Sequence, residues 1–146
     1  AEDAPVSQSG QSTGAADLHG AQILLVEDNE INIYVAQLML EKMGCIVTTA
    51  RNGREAVDAF AASEAGFFRA VLMDVRMPVM DGIEATKRIR ALPNADARTV
   101  PIIAMTANAF AEERKRTLEA GMNYHLSKPI EAETLYRVLA QHIHVS

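Results

Sequence analysis

From Ile23 onward, short apolar runs alternate with stretches of helical spacing, and the alternation repeats five times. The first run, Ile23–Val26, precedes a helix expected from about Glu30 to Met43, with Asn29 as N-cap and Gly44 as stop. Ile31, Tyr34, Val35, Leu38 and Met39 share a face of that helix. The second run is Cys45–Thr49, followed by a helix over about Gly53 to Ser63 with Ala56, Val57 and Phe60 inward. The third, Ala70–Met73, ends at Asp74; after the loop Val75–Met80 comes a helix from Asp81 to about Ala91. The fourth, Ile102–Met105, is introduced by Pro101 and leads to a helix from about Ala109 to Ala120 that Gly121 ends. The fifth, Tyr124–Leu126, leads through Lys128-Pro129 to a helix from about Ala132 to Ile143, with Leu135, Val138, Leu139 and His142 on one stripe.

Apolar runs without polar alternation are the mark of strands buried on both faces, and strands separated by helices run parallel with right-handed crossovers. The expected fold is a doubly wound α/β sandwich with helices on both faces of a five-stranded parallel sheet. Ligands of such open sheets bind outside the carboxyl ends of the strands, where the strand order reverses. Residues 1–20 have no apolar period and are rich in Ser, Gly, Ala and Gln, so they read as a flexible linker ahead of a domain at 21–146.

Composition narrows the function. Hydrophobic residues make up 49% and charged residues 23% of the 146, the balance of a single folded domain. A net charge of −5 with no basic run excludes a general nucleic-acid-binding surface. The single cysteine, Cys45, sits among apolar neighbours and reads as a buried thiol in a reducing compartment, which fits a cytoplasmic location. No apolar run reaches the roughly 20 residues of a membrane span, so no direct membrane contact is expected. Ala1 in place of an initiating Met fits a segment cut from a longer polypeptide.

Glu27-Asp28, Asp74, Thr106 and Lys128 stand just after four of the five predicted strands, so distant segments converge on one edge. Three carboxylates crowded together raise one another's pKa unless a cation sits among them. Oxygen ligands with open water positions suit Mg²⁺, with Mn²⁺ as a substitute, and no His/Cys cluster competes. Lys128 adds a point positive charge and Thr106 a hydroxyl donor, the groups that hold phosphoryl oxygens. In-line positioning with charge neutralisation then suffices for phosphoryl transfer to a carboxylate, giving an aspartyl phosphate at Asp74. Pro129 fixes the loop that aims Lys128, and its peptide bond is a candidate for the cis form.

LLVEDNEIN, VLMDVRMPVMDG, PIIAMTANA and HLSKPI, in this order and spacing, resemble the receiver domains of two-component response regulators over about residues 22–143. DNEIN, MPVMDGIEATKRIR and MTANAFAEERKRTLEAGMNYHLSKPI are most similar to receivers attached to hybrid sensor histidine kinases. The resemblance implies a flavodoxin-like (βα)5 fold with strand order 2-1-3-4-5. It implies transfer from phosphohistidine to Asp74, with Asp28, Asp74 and the Arg76 backbone carbonyl binding Mg²⁺, Glu27 acting through water, and Thr106 and Lys128 holding the phosphoryl group. The implied partners are the phosphohistidine-bearing dimerisation domain of a histidine kinase and a histidine phosphotransfer protein docking around the first helix. The chain itself is then a switch with at most self-phosphorylation and self-dephosphorylation, and a full-length parent is a histidine kinase. One departure stands out: where most family members have Phe or Tyr three residues before the lysine, this chain has His125, smaller and titratable, either a switch residue or an exposed polar residue with no switching role.

Simpler roles cover several other residues. Asp81 before Gly82 reads as an N-cap, Met73, Met77 and Met80 as packing and loop residues, and Glu112 to Arg116 as a solvated helix face of mixed charge. A long side chain at Arg76, beside the phosphate position, is expected to affect hydrolysis of the aspartyl phosphate. The alternative enzyme reading is an aspartate-nucleophile phosphatase of the haloacid-dehalogenase type. Such enzymes carry a second Asp two residues after the nucleophile, where this chain has Arg76. A flavodoxin-like cofactor binder lacks its phosphate loop here, since acidic residues follow the first strand. A receiver that has lost phosphorylation is disfavoured by the complete acidic set.

Overall fold

A computed structural model describes residues 18–107 and 111–143. In chain order the elements are β1 (Gln22–Val26), α1 (Glu30–Lys42), β2 (Ile46–Ala50), α2 (Gly53–Ala62), β3 (Phe68–Asp74), α3 (Gly82–Arg90), β4 (Ile102–Thr106), α4 (Ala111–Ala120), β5 (Tyr124–Ser127) and α5 (Ala132–His142). The strands form one parallel sheet in the order β2-β1-β3-β4-β5, the order the resemblance implies.

Side chains alternate along the three inner strands β1, β3 and β4 between two separate cores. Ile23 and Leu25 of β1, Leu72 of β3 and Ile103 and Met105 of β4 pack with Leu40 of α1 and Leu135 and Leu139 of α5. Leu24, Val26, Val71, Met73, Ile102 and Ala104 pack on the other face with Phe60 of α2 and Ile83 and Ile89 of α3. Because both faces are covered, every second residue that would be polar in a half-exposed sheet is apolar here, which produces the unbroken runs in the sequence.

Two parts of the sequence reading change. Ile31, Tyr34, Val35 and Leu38 do share a face of α1, but it is the outer one; Ile31 is 73% exposed, while Ile33, Ala36 and Leu40 face the core. Both stripes of α1 are apolar, so periodicity alone does not choose between them. Of the expected linker, residues 1–17 lie outside the described residues, whereas Leu18 is buried against the core and accepts from the Ala21 N–H at 3.0 Å. The packed domain therefore extends ahead of residue 21.

Asn29, Asn52 and Asp81 cap α1, α2 and α3, each side chain accepting a backbone N–H of the first turn. The N-cap expected at Asp81 is thus present. Arg90 ends α3 by donating to the carbonyls of Ala97, Val100 and Gly121 and to the Asn123 side chain, at 2.7–3.1 Å. One guanidinium thereby pins the long α3–β4 connection to the start of β5. Among the described residues, no helix is long and apolar enough to cross a membrane.

Candidate functional site

The order of the strands reverses between β1 and β3, so the chain after β1 and the chain after β3 open a crevice at their carboxyl ends. Glu27, Asp28, Asp74, Arg76, Thr106 and Lys128 all line a cleft of about 220 Å³ there, with Asn29, Asn32, Val75 and Ala107. Every site residue inferred from sequence is in or on this cleft except His125.

The local backbone is built to hold Asp74 at its floor. A Cβ on Gly82 would lie 2.2 Å from the Asp74 carbonyl oxygen, so only glycine lets α3 start this close to the end of β3. A Cβ on Gly53 would lie 2.4 Å from the Met80 carbonyl, which instead accepts the Gly53 N–H at 2.9 Å. These two contacts clamp the loop between Asp74 and Asp81 from both sides. Val79 in that loop has φ +69°, with the Met80 N–H donating to the Pro78 carbonyl at 2.7 Å. A branched side chain in this region costs on the order of 1–3 kcal/mol.

Lys128 Nζ lies 3.0 Å from Glu27 Oε2 and 3.2 Å from Asp74 Oδ1, so one ammonium bridges two buried carboxylates. The Lys128–Pro129 bond is cis, as the sequence suggested, and the Lys128 N–H donates to the Thr106 carbonyl at 2.9 Å. Glu27 Oε1 accepts the backbone N–H groups of Asp28 and Asn29 at 3.1 and 3.2 Å. Asp74 Oδ1 accepts the Arg76 N–H at 3.4 Å.

Electrostatics separate the two carboxylates. Burial first, then the hydrogen bond and negative charge of Glu27, push Asp74 up to about 7 against the pull of Lys128. Burial alone would raise Glu27 as well, but hydrogen bonds from Lys128, Asp74 and the Asn29 N–H, with the Lys128 charge, hold it below the ordinary carboxylate value. Within the pair Glu27 keeps the charge and Asp74 is the group that takes a proton. Lys128 would be lowered by burial, yet its two carboxylate partners raise it above its ordinary value.

Oxygen atoms of Glu27, Asp28 and Asp74 lie within 4.8 Å of one another. An all-oxygen set of three carboxylates, one of them with a raised pKa, fits a hard divalent cation that would remove the mutual repulsion.

One acidic residue was misplaced by sequence reasoning. Glu113, assigned to a solvated face, is only 5% exposed, and its two oxygens accept from the Thr106 hydroxyl and, at 3.2 Å, from Arg76 Nη2. The helical spacing Glu113, Thr117, Ala120 marks the inward stripe of α4, but the mixed-charge run around Glu113 conceals it. His125 lies on β5, half-buried, with Nε2 hydrogen-bonded to the Thr117 hydroxyl. Burial and the nearby Arg114 charge hold it below the usual histidine value, against the opposing charge of Glu113. The α4 helix therefore grips both residues expected to switch, Thr106 and His125.

A family model for the response regulator receiver domain matches residues 23–140. The chain belongs to that family. The receiver domain of a sensor histidine kinase from Pseudomonas aeruginosa PAO1, crystallised with magnesium in its active-site cleft, is 45% identical. It superposes with a TM-score of 0.77 over 85% of this chain and 98% of that one. The receiver of yeast Ssk1, crystallised with the histidine phosphotransfer protein Ypd1, is 28% identical, with a TM-score of 0.74 over 86% of this chain and 90% of that one. Among curated proteins, the sensor protein GacS of Pseudomonas syringae is 42% identical over 81% of this receiver and 13% of its own length. The probable histidine kinase 1 of Oryza sativa subsp. indica is 37% identical over 84% of this receiver and 15% of its own length. The receiver thus spans about one-seventh of such relatives. Membership lends no support to the haloacid-dehalogenase alternative, in agreement with Arg76 at the position where those enzymes carry a second Asp.

Proposed function

We propose that Asp74 accepts a phosphoryl group from phosphohistidine and that Glu27, Asp28, Thr106 and Lys128 serve that transfer. The observation that carries this reading is the convergence of three carboxylates and one ammonium at the switch point of the sheet, with Lys128 3.0 and 3.2 Å from two of the carboxylates. Mg²⁺ fits the acidic set and would be held by Asp28, Asp74 and the Arg76 carbonyl, with Glu27 acting through water. Bound there, the ion would neutralise charge on the phosphoryl oxygens. An Asp74 carboxylate oxygen attacks phosphorus; the N–P bond of the donor breaks, its electron pair returning to the imidazole, which takes up a proton. Lys128 offsets the developing charge and the Thr106 hydroxyl donates to a phosphoryl oxygen. His125, on the neighbouring strand, follows the movement of Thr106.

The wider setting is a receiver module within a hybrid sensor kinase of the cytoplasm, passing its phosphoryl group to a histidine phosphotransfer protein. Three observations support this: the curated relatives that are histidine kinases, the structural likeness to the Ssk1 receiver, and the exposed apolar face of α1. That face borders a groove of about 620 Å³ between α1 and α5, lined by Val35, Leu38, Met39, Met43 and Tyr136 among others. Mass measurement of the full-length natural gene product tests the setting directly.

Acetyl phosphate with Mg²⁺ should add one phosphoryl group, read by intact-protein mass spectrometry. Asp74→Asn should abolish the gain, and Lys128→Ala should slow it by about 100-fold. An undiminished gain in Asp74→Asn would refute Asp74 as the acceptor, and repeated release of phosphate from small monoesters would return the enzyme reading.

A further inference from the structure

We infer that Glu113 is a latch on the resting state of the switch, competing with the phosphoryl group for the hydroxyl proton of Thr106. The inference rests on Asp74 being the phosphoacceptor. Glu113 stands outside the cleft, yet it holds two residues that line it: Thr106 from the end of β4 and Arg76 from the loop after β3. Its carboxylate is 5% exposed and Thr106 is 2% exposed, so water does not compete freely for either group. A buried carboxylate is tolerated only when paired and hydrogen-bonded, and here the pairing is to the active-site rim.

A threonine hydroxyl has one proton to donate. In this structure Glu113 Oε2 accepts it. Donation to a phosphoryl oxygen on Asp74 requires that bond to break, leaving Glu113 with Arg76 as its charged partner. The energy of the Thr106–Glu113 bond is therefore a free-energy difference between resting and phosphorylated arrangements, and any ligand that recruits Thr106 binds against it. Glu113 is a positioning residue in this sense, since it acts on the phosphoryl group through Thr106. The same face of α4 holds His125 through Thr117, one turn further on, so release of Glu113 loosens the helix that grips both switch residues.

The test is binding of beryllium trifluoride, a phosphoryl mimic, to the whole chain with saturating Mg²⁺ at one fixed pH. Glu113→Ala should bind it about tenfold more tightly than the parent, because a hydrogen bond to a charged acceptor is lost from the resting state alone. Glu113→Gln retains an uncharged acceptor of the same shape and should gain about threefold. In a Thr106→Val background, where there is no proton to release, Glu113→Ala should bring no gain. A purely structural role predicts the reverse, weaker binding in both variants with a lower melting temperature. Unchanged or weaker binding by Glu113→Gln, or a gain that persists in Thr106→Val, overturns the latch. If the parent itself fails to bind, or Asp74→Asn binds equally well, the assignment of Asp74 fails and takes the latch with it.

Discussion

The carboxyl edge of the sheet and the outer face of α1 break the rule of burial in opposite directions. At the edge, Glu27, Asp74, Thr106 and Glu113 are polar and buried; on α1, Ile31, Tyr34, Val35 and Leu38 are apolar and exposed. Each arrangement is unfavourable for an isolated domain, the first through desolvation of charge, the second through apolar area left in water. The edge offsets its cost internally, by Lys128 between two carboxylates and by Thr106 and Arg76 on Glu113. The α1 face has no such partner among the described residues, and its cost is recovered only when another surface covers it. On the proposed function, the first region carries the phosphoryl transfer and the second is where a partner docks.

The sharpest test of this contrast is a pair of leucines on α1. Leu40 is fully buried and Leu38 is 40% exposed, two residues apart on opposite stripes. Leu40→Ala should lower unfolding free energy by about 2–5 kcal/mol in urea titrations. Leu38→Asp should change it by no more than about 0.5 kcal/mol while reducing phosphoryl transfer to a histidine phosphotransfer protein. Equal destabilisation by the two would erase the distinction between the faces.

A pH titration probes the other region. Asp74 is raised to about 7 from an unfolded value of 3.8, so the folded, metal-free protein binds more protons than the unfolded chain between those values. Its contribution to stability is fully present below pH 3.8 and is lost as pH rises through about 7. Glu27, lowered in the fold, works the other way, its contribution fading only as pH falls below the ordinary carboxylate range. In EDTA at pH 8, Asp74→Asn should therefore be more stable than the parent by about 1–3 kcal/mol, with the gain gone near pH 4. A gain independent of pH would mean that repulsion at Asp74 is not its source.

Why the edge was legible in the sequence and the α1 face was not follows from the same contrast. A polar residue at a strand end usually caps or turns the chain, but Asp74, Thr106 and Lys128 each end an apolar run at the same edge of the sheet, and that convergence is what made the site legible. Ile31 and Leu38 sit in a helix whose buried stripe, Ile33, Ala36 and Leu40, is no more apolar, so hydrophobic spacing carries two solutions. Glu113 failed for a related reason: four charged neighbours surround it, and only the three-dimensional approach of Arg76 and Thr106, 37 and 7 residues away, separates it from them. The fold was legible because all five strands and helices alternate with consistent spacing. Its start was not, because Leu18 is a lone apolar residue beside a polar stretch.

Arg76 joins the two sides of the carboxyl edge, its backbone N–H on Asp74 and its guanidinium on Glu113. The side chain stands at the rim of the cleft, 73% exposed, where it would shield a phosphoryl group on Asp74 from water. Arg76→Ala should shorten the aspartyl-phosphate half-life by about two- to threefold, an effect well below 1 kcal/mol in activation free energy. Phosphate release after removal of the donor measures it, and an unchanged half-life would confine Arg76 to its pairing with Glu113.

The smallest effect belongs to His125, where a half-buried polar residue takes a position that the family fills with an aromatic ring. Burial and the Arg114 charge hold it below the ordinary histidine value, with Glu113 pulling the other way. A lowered histidine contributes stability above its unfolded value of 6.5 that is lost as pH falls through its folded value. His125→Phe should remove that loss, so the variant gains on the parent by a few tenths of a kcal/mol below about pH 6, after allowance for solvent screening. Above pH 7 the order should reverse slightly, because phenylalanine cannot hydrogen-bond to Thr117 and leaves its buried hydroxyl with one partner fewer. Melting curves at both pH values check the crossing. Parallel curves with no crossing would show that the His125 ring is sensed by the fold as shape alone, and that α4 is held at this point by packing rather than by the Thr117 bond.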